Sequence, residues 1–271
     1  MTIVYTIACL VALGLFFAVV LYFVAQKFKV EEDPRIGQVE SLLPGANCGG
    51  CGNAGCRAFA EKVVAADSLD DFFCPVGGNE VMARIAGALG REAVEKEPMV
   101  AVVRCQGTAE HCQKLNRYDG APSCRVAATL YSGETGCRWG CIGLGDCVSA
   151  CEFGGVHLDP RTHQVSIDTG LCTGCGGCAR ACPHHVIELR PRGPRGRRVY
   201  VSCVNQDKGA LTRKACTIGC IGCGKCAKVC PFEAIRIENN LAYIDYTKCK
   251  GCGKCAAECP THAIVATPIE K

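Results

Sequence analysis

The sequence is poor in large aromatic side chains: one Trp, and 6% Phe, Tyr and Trp together, in 271 residues. So little bulk implies an interior filled partly by something other than packed side chains. A Gly-x-Gly-x-x-Gly turn between a strand and a helix is also missing, which removes the usual signature of a dinucleotide fold. Nothing reads as a flavin site or as a nucleophile–base pair, so no complete active site is indicated. Residues 1–26 lack charge altogether. The basic leader, short apolar core and small-residue cleavage site of a secretory signal are not evident there. Ile3 to Val24 is almost wholly apolar, and at about 1.5 Å per residue it reaches roughly 33 Å, enough to span a bilayer. Lys27 and Lys29 follow directly. The positive-inside rule then puts everything after the span in the cytoplasm of a plasma (inner) membrane, a single pass.

What the chain has in excess is cysteine, 26 residues of it. Disulfide scaffolds are short secreted domains, whereas these cysteines recur in tandem at ligand spacing. Cys249-x2-Cys252-x2-Cys255-x3-Cys259-Pro260 is the string that holds a [4Fe–4S] cubane, its fourth cysteine serving a neighbouring cluster. It recurs at Cys172, Cys175, Cys178, Cys182 and at Cys220, Cys223, Cys226, Cys230. Zinc sites pair two separate Cys-x-x-Cys knuckles instead. Such strings imply electron transfer. The formal charge of +4 omits the negative charge of cluster-bound thiolates, so it carries no inference about nucleic acid.

The cysteines also reveal a duplication. Cys124, Cys137, Cys141, Cys147 and Cys151 recur 79 residues later as Cys203, Cys216, Cys220, Cys226 and Cys230. Cys172, Cys175, Cys178 and Cys182 recur 77 residues later as Cys249, Cys252, Cys255 and Cys259. Val165 to Asp168 matches Ala242 to Asp245, a short alternating strand before each second loop. The expected fold is small α+β: a transmembrane helix (1–26), a small helical [4Fe–4S] domain (32–92), and two tandem ferredoxin-like two-cluster modules (101–190 and 199–271). Charged or proline-containing linkers, Glu31 to Pro34 and Arg91 to Pro98, separate the early parts.

Ligand exchange assigns Cys220, Cys223, Cys226 and Cys259 to one cluster, and Cys230, Cys249, Cys252 and Cys255 to its neighbour. In the first copy Cys151, Cys172, Cys175 and Cys178 form a regular site. Its partner departs from the pattern, because Leu144 stands where Cys223 stands in the repeat. Cys141, Cys147 and Cys182 remain. Cys137 is the expected fourth ligand, with a three-cysteine [3Fe–4S] site and a free Cys137 as the alternative. Cys105, Cys112, Cys124, Cys203 and Cys216 are then left over. They are either buried free thiols or, through Cys105, Cys124, Cys203 and Cys216, a sixth cluster. Cys9 falls inside the apolar span.

The first group, Cys48-x2-Cys51-x4-Cys56-x17-Cys74, would suit either zinc or a cluster by spacing alone. It resembles the single-cluster domain of corrinoid iron–sulfur proteins and of the B subunit of Rnf complexes, which implies that all four are cluster ligands. The whole order, with Gly140-Cys-Ile-Gly-Leu-Gly-Asp-Cys147 and Lys214 to Cys223, resembles the B subunit of Rnf-type complexes. That resemblance implies an electron-relay component of an ion-translocating ferredoxin:NAD oxidoreductase (a translocase), with soluble ferredoxin and other membrane subunits as partners. Five [4Fe–4S] clusters are expected on this basis, with a sixth left open. The short form of the family carries one ferredoxin pair; this chain has two. The rival readings are a relay subunit of a hydrogenase or formate dehydrogenase, and a redox sensor. Between the modules, Arg190, Arg192, Arg195, Arg197 and Arg198 form either a ferredoxin-docking patch, a lipid-facing patch or a solvated linker.

Overall fold

A computed structural model describes residues 2–27, 33–130 and 133–268. Lys29 of the basic flank, and Glu31 and Glu32 of the first linker, lie outside the described residues.

Helix α1 (Thr2–Lys27) is apolar around its whole circumference, with Leu10, Phe16 and Phe23 exposed. Its stretch Val4–Val24 has mean hydropathy 2.8, and none of it is buried against the rest of the chain. A helix with no polar face and no protein cover is suited to lipid.

Three helices follow. Helix α2 (Pro34–Leu42) starts with Pro34 in its first turn, and the Asp33 carboxylate accepts the Arg35 N–H at 2.9 Å, closing an orphan donor. Helix α3 (Cys56–Ala65) buries Phe59, Ala60, Val63 and Val64, and α4 (Gly78–Leu89) buries Val81, Met82, Ile85 and Ala86. Both runs have the three- and four-residue spacing of one helical face. Phe59 meets Phe72 edge to face at 6.0 Å between ring centres. Gly90 closes α4 in the left-handed region at φ 65°, where glycine is unstrained.

The two copies of the repeat share one plan. In the first, β1 (Met99–Val103) opens the copy, and α5 (Cys124–Leu130) and α6 (Asp146–Ser149) come next. A hairpin of β2 (Val156–Leu158) and β3 (Val165–Ile167) is followed by α7 (Gly177–Ala181) and by β4 (Ile187–Pro191). Strand β4 returns antiparallel to β1, with Met99 opposite Pro191 and Val103 opposite Ile187. In the second, β5 (Val199–Val201) opens and α8 (Gly209–Ala215) and α9 (Lys225–Lys228) follow. The hairpin of β6 (Ile235–Glu238) and β7 (Leu241–Ile244), then α10 (Lys254–Ala257), lead to β8 (Ile264–Ala266), which pairs with β5. The β6–β7 turn is Asn239-Asn240, both with positive φ, as a tight two-residue hairpin demands. The strands before the second cluster loops, expected at Val165 and Ala242, are β3 and β7.

The copies are joined by arginine. Arg104 donates to the carbonyl oxygens of Val201 and Cys203, each at 3.2 Å, and pairs with Glu188 at 3.0 Å. Arg190, 2% exposed, also pairs with Glu188 and lies over the Tyr243 ring at 5.3 Å. The arginine run therefore departs from the expectation of five surface charges. Arg190 and Arg198 are buried, Arg192 and Arg197 half-buried, and Arg195 exposed. The reason is register: β4 carries Arg190 opposite Val100, facing into the seam between copies.

Candidate iron–sulfur sites

Four short helices, α6, α7, α9 and α10, each begin immediately after a left-handed glycine: Gly145, Gly176, Gly224 and Gly253, with φ between 75° and 85°. Only that backbone conformation turns the Cys-x-x-Cys-x-x-Cys loop back on itself, so that its thiols converge. Around each loop a further thiol arrives from elsewhere in the chain.

In the first domain Cys48, Cys51, Cys56 and Cys74 line one hollow with Leu43, Phe59 and Pro75. Asn47 accepts the Cys56 N–H at 2.8 Å, fixing the start of α3. The Gly77 N–H and the Asn53 amide reach the sulfurs of Cys74 and Cys51 at 3.4 and 3.6 Å. Burial pushes the Cys74 thiol up, and the neighbouring Cys51 and Cys56 add to that effect.

This domain touches the first copy directly. A β-carbon on Gly50 would fall 2.9 Å from Cys175 Cβ, so only glycine allows this approach. Arg180 bridges the same two loops, donating to the Cys175 carbonyl at 3.0 Å and to the Cys48 carbonyl at 3.3 Å.

Cys178 lies among Cys172, Cys175 and Cys151, and burial together with those neighbours pushes it up to about 12. In the second copy Cys226 has Cys220, Cys223 and Cys259 around it, and Cys255 has Cys249, Cys252 and Cys230; burial first, then these neighbours, push both up to about 11. These neighbours include the exchanged sets expected from spacing, with Cys147 also beside Cys178 and Cys226 also beside Cys255. Cys223 and Cys252 are exposed.

The irregular site differs from expectation. Cys141, Cys147 and Cys182 line a hollow with Cys124, not Cys137. The Asp146 carboxylate is the cause. It accepts the backbone N–H groups of Cys124 (2.8 Å) and Arg125 (3.0 Å) and the Ser123 hydroxyl (2.9 Å). Asp146 thus caps α5 from inside the cluster loop and brings Cys124 beside Cys147. Cys147 is pushed up to about 11 by burial, then by the negative charge that Cys124 and Cys182 would carry.

Cys137 belongs elsewhere. With Cys105, Cys112 and Cys216 it lines a hollow between the two copies. Backbone hydrogen bonds assemble that hollow. The Gly136 N–H donates to the Gln113 carbonyl at 2.9 Å and the Leu115 N–H to the Glu134 carbonyl at 2.7 Å. The Thr217 N–H reaches the His111 carbonyl at 3.0 Å, tying the second copy to the same loop. The Cys112 thiol donates to the Ala215 carbonyl at 3.1 Å, and the adjoining Cys112, then burial, push the Cys216 thiol up. Of the leftover quartet expected from sequence, Cys105, Cys203 and Cys216 line this hollow, Cys124 lies in the other one, and Cys112 and Cys137 join the first. Cys112 has no counterpart in the repeat, and only its closeness to Cys216 reveals it.

Cys203, the repeat partner of Cys124, is buried and also lines the inter-copy hollow. Burial pushes it up to about 11. The second copy already has a fourth thiol at Cys223, so its fold does not need Cys203 there.

The hollows fit clusters better than single ions. A tetrahedral zinc site with Zn–S about 2.3 Å needs sulfurs only about 3.8 Å apart. Among the described residues no three Cys, His, Asp or Glu side chains converge in that way. The inter-copy hollow holds about 430 Å³ of space unfilled by atoms, against about 320 Å³ in the first domain and about 360 Å³ at Cys124. Four thiols wall the hollow of the first domain and four that at Cys124, and the inter-copy hollow is lined by six, Cys141 and Cys203 among them.

Comparison with known proteins agrees with this chemistry. A family model for an Fe-S cluster domain matches residues 43–75, and one for a 4Fe-4S dicluster domain matches 136–186 and again 219–263. The chain is 44% identical over 243 residues to the B subunit of the ion-translocating oxidoreductase complex of Methanosarcina acetivorans, covering 90% of each chain. It is 43% identical to the B subunit of the proton-translocating ferredoxin:NAD(+) oxidoreductase complex of Clostridium ljungdahlii, over 90% of this chain and 84% of that one. The counterpart from the Na(+)-translocating complex of Acetobacterium woodii is 42% identical, over 87% of this chain and 69% of that one.

Proposed function

From the premise that this chain belongs to the family of B subunits of ion-translocating oxidoreductase complexes, we propose how it works as their iron–sulfur relay. It is an electron-transfer subunit of a ferredoxin:NAD oxidoreductase that is also a translocase. NAD chemistry and ion movement belong to the other subunits of the complex.

The proposed ligands extend the sequence-based sets. Cys48, Cys51, Cys56 and Cys74 hold one [4Fe–4S] cluster, and Cys151, Cys172, Cys175 and Cys178 a second. Cys124, Cys141, Cys147 and Cys182 hold a third, and Cys105, Cys112, Cys137 and Cys216 a fourth. Cys220, Cys223, Cys226 and Cys259, and Cys230, Cys249, Cys252 and Cys255, complete six. The observation that supports this reading is the gathering of thiols: Cys48, Cys51, Cys56 and Cys74 line one hollow, Cys124, Cys141, Cys147 and Cys182 another, and thiols from both copies a third. Such a chain of sites suits conduction from one end of the protein to the other, and a single sensing cluster would not need it. The divisions 1–26, 32–92, 101–190 and 199–271 are proposed as anchor, single-cluster domain and two ferredoxin-like modules. The anchor would cross the plasma membrane with Lys27 on the cytoplasmic side, together with the clusters.

Soluble ferredoxin is the proposed electron donor, docking on the second module. The exposed Cys252 lies in a loop with exposed Lys248, Lys250 and Lys254. A cleft beside it is lined by Arg195, Arg197, Lys250 and Cys249. Clustered positive charge steers an acidic protein toward the exposed thiol. Anaerobic stopped-flow mixing of reduced ferredoxin with the full chain tests this reading. The iron–sulfur absorbance should bleach, and Arg195→Ser with Lys250→Ser should slow bleaching severalfold at low salt and little at high salt. No bleaching with wild-type protein would refute the relay role, and a salt-independent rate would refute the docking face alone.

A further inference from the structure

Asn205 is among the most completely buried polar residues in the protein, 1% exposed, and it lies in the wall of the inter-copy hollow. Its orientation is fixed from behind. Oδ1 accepts the Asp207 backbone N–H at 2.7 Å, and the buried Thr212 hydroxyl lies 3.2 Å from the same oxygen. Turning the amide over would set its NH2 against a backbone donor, so the amide nitrogen must face the hollow. There Nδ2 donates to Cys137 Sγ at 3.4 Å. The residue comes from the second copy and the sulfur from the first. Its repeat position in the first copy is Val126, which cannot donate, so the contact is not an inherited feature of the ferredoxin plan. Elsewhere in the described residues the side-chain amide that reaches a ligand sulfur is Asn53, longer at 3.6 Å and only partly buried.

Adding an electron to a cluster increases the negative charge on its thiolate sulfurs, and an N–H donor stabilises that charge. In a buried site water cannot take over the donor's role, and the low local dielectric enlarges the effect. We propose that Asn205 sets the reduction potential of the inter-copy site by holding its amide N–H on Cys137 Sγ, which makes this site easier to reduce than it would otherwise be. Asn205 is a positioning and tuning residue, not a ligand. The proposal rests on the reading that Cys105, Cys112, Cys137 and Cys216 hold a cluster.

The test is an EPR-monitored redox titration of the anaerobically purified full chain, with iron measured on the same samples. Asn205→Leu removes the donor while keeping similar bulk. Asn205→Asp keeps the volume and the Oδ1 acceptor but presents an anionic oxygen to the sulfur. One midpoint should fall in Asn205→Leu by about a tenfold shift in its reduction equilibrium, which is about 59 mV for one electron. It should fall further in Asn205→Asp, with the other midpoints and the iron content unchanged. Loss of packing alone would not give that order, because Asp has the volume of Asn. Unmoved midpoints with full iron would overturn the proposal, and so would loss of iron from both variants, which would make Asn205 a residue of assembly. If Cys137→Ala loses no iron, the cluster reading itself fails, and that failure is distinct from the first.

Discussion

Replacing Cys124 with Ala should strip one cluster of some or all of its iron, and adding Leu144→Cys to that variant should restore it. The first copy lacks a cysteine at position 144, and the structure supplies Cys124 in its place. The two loops share the left-handed conformation of their flanking glycines. Leu144 lies between Gly143 (φ 81°) and Gly145 (φ 85°), and Cys223 lies between Gly222 (φ 64°) and Gly224 (φ 76°). A thiol placed at 144 therefore projects as Cys223 does in the second copy. Six quartets imply about 24 irons per chain. Cys124→Ala leaves three thiols, which can retain a three-iron cluster or none, so between about one and four irons should be lost. Cys124→Ala with Leu144→Cys should return to about 24 irons, and the oxidised three-iron EPR signal, where the single variant shows one, should vanish. Cys137→Ala should also lose up to about four irons, but Leu144→Cys should not repair that loss, because Cys137 lines the other hollow. Iron and acid-labile sulfide on the anaerobically purified full chain decide the matter. If Leu144→Cys rescues Cys137→Ala and not Cys124→Ala, the ligand assignment is wrong.

Three further outcomes follow from burial. Arg190→Met should destabilise the chain by about 2–4 kcal/mol, since it removes a buried cation from Glu188 and from the Tyr243 ring while Arg104 still holds the carboxylate. A thermal midpoint, at one scan rate, within a degree of wild type would refute that role. The apo-protein thiols of Cys147, Cys226 and Cys255, pushed up to about 11, keep their protons at neutral pH. Loading the full apo-chain with ferrous iron and sulfide near neutral pH should therefore acidify a weakly buffered solution. The folded apo form binds these protons more tightly than an unfolded thiol with pKa about 8.5. Its stability should then fall as pH rises from about 9 to about 11, while the loaded chain shows no such fall. A flat apo profile across that window would refute the burial argument.

The chemistry and most of the local structure were legible in the amino-acid order alone. Tandem Cys-x-x-Cys-x-x-Cys loops with their glycines require the same tight turn wherever they occur, so the loops and the strands before them could be read from spacing. The uncharged first 26 residues imposed an apolar helix because no polar face is available to them. The placing of Cys112 and Cys124, which stand outside the repeated cluster strings, was a matter of tertiary structure. Cys124 reaches its site because Asp146, a residue of the loop itself, caps the helix on which Cys124 stands. Cys112 is brought to Cys216 by backbone hydrogen bonds between segments more than a hundred residues apart, such as Thr217 to His111. Spacing rules fail there because they read only local geometry, and these thiols meet through capping and strand-edge contacts that leave no periodic mark. The arginine run shows the same limit. Composition places five charges in nine residues, but the pairing of β4 with β1 buries Arg190 in the seam and leaves Arg195 to the solvent.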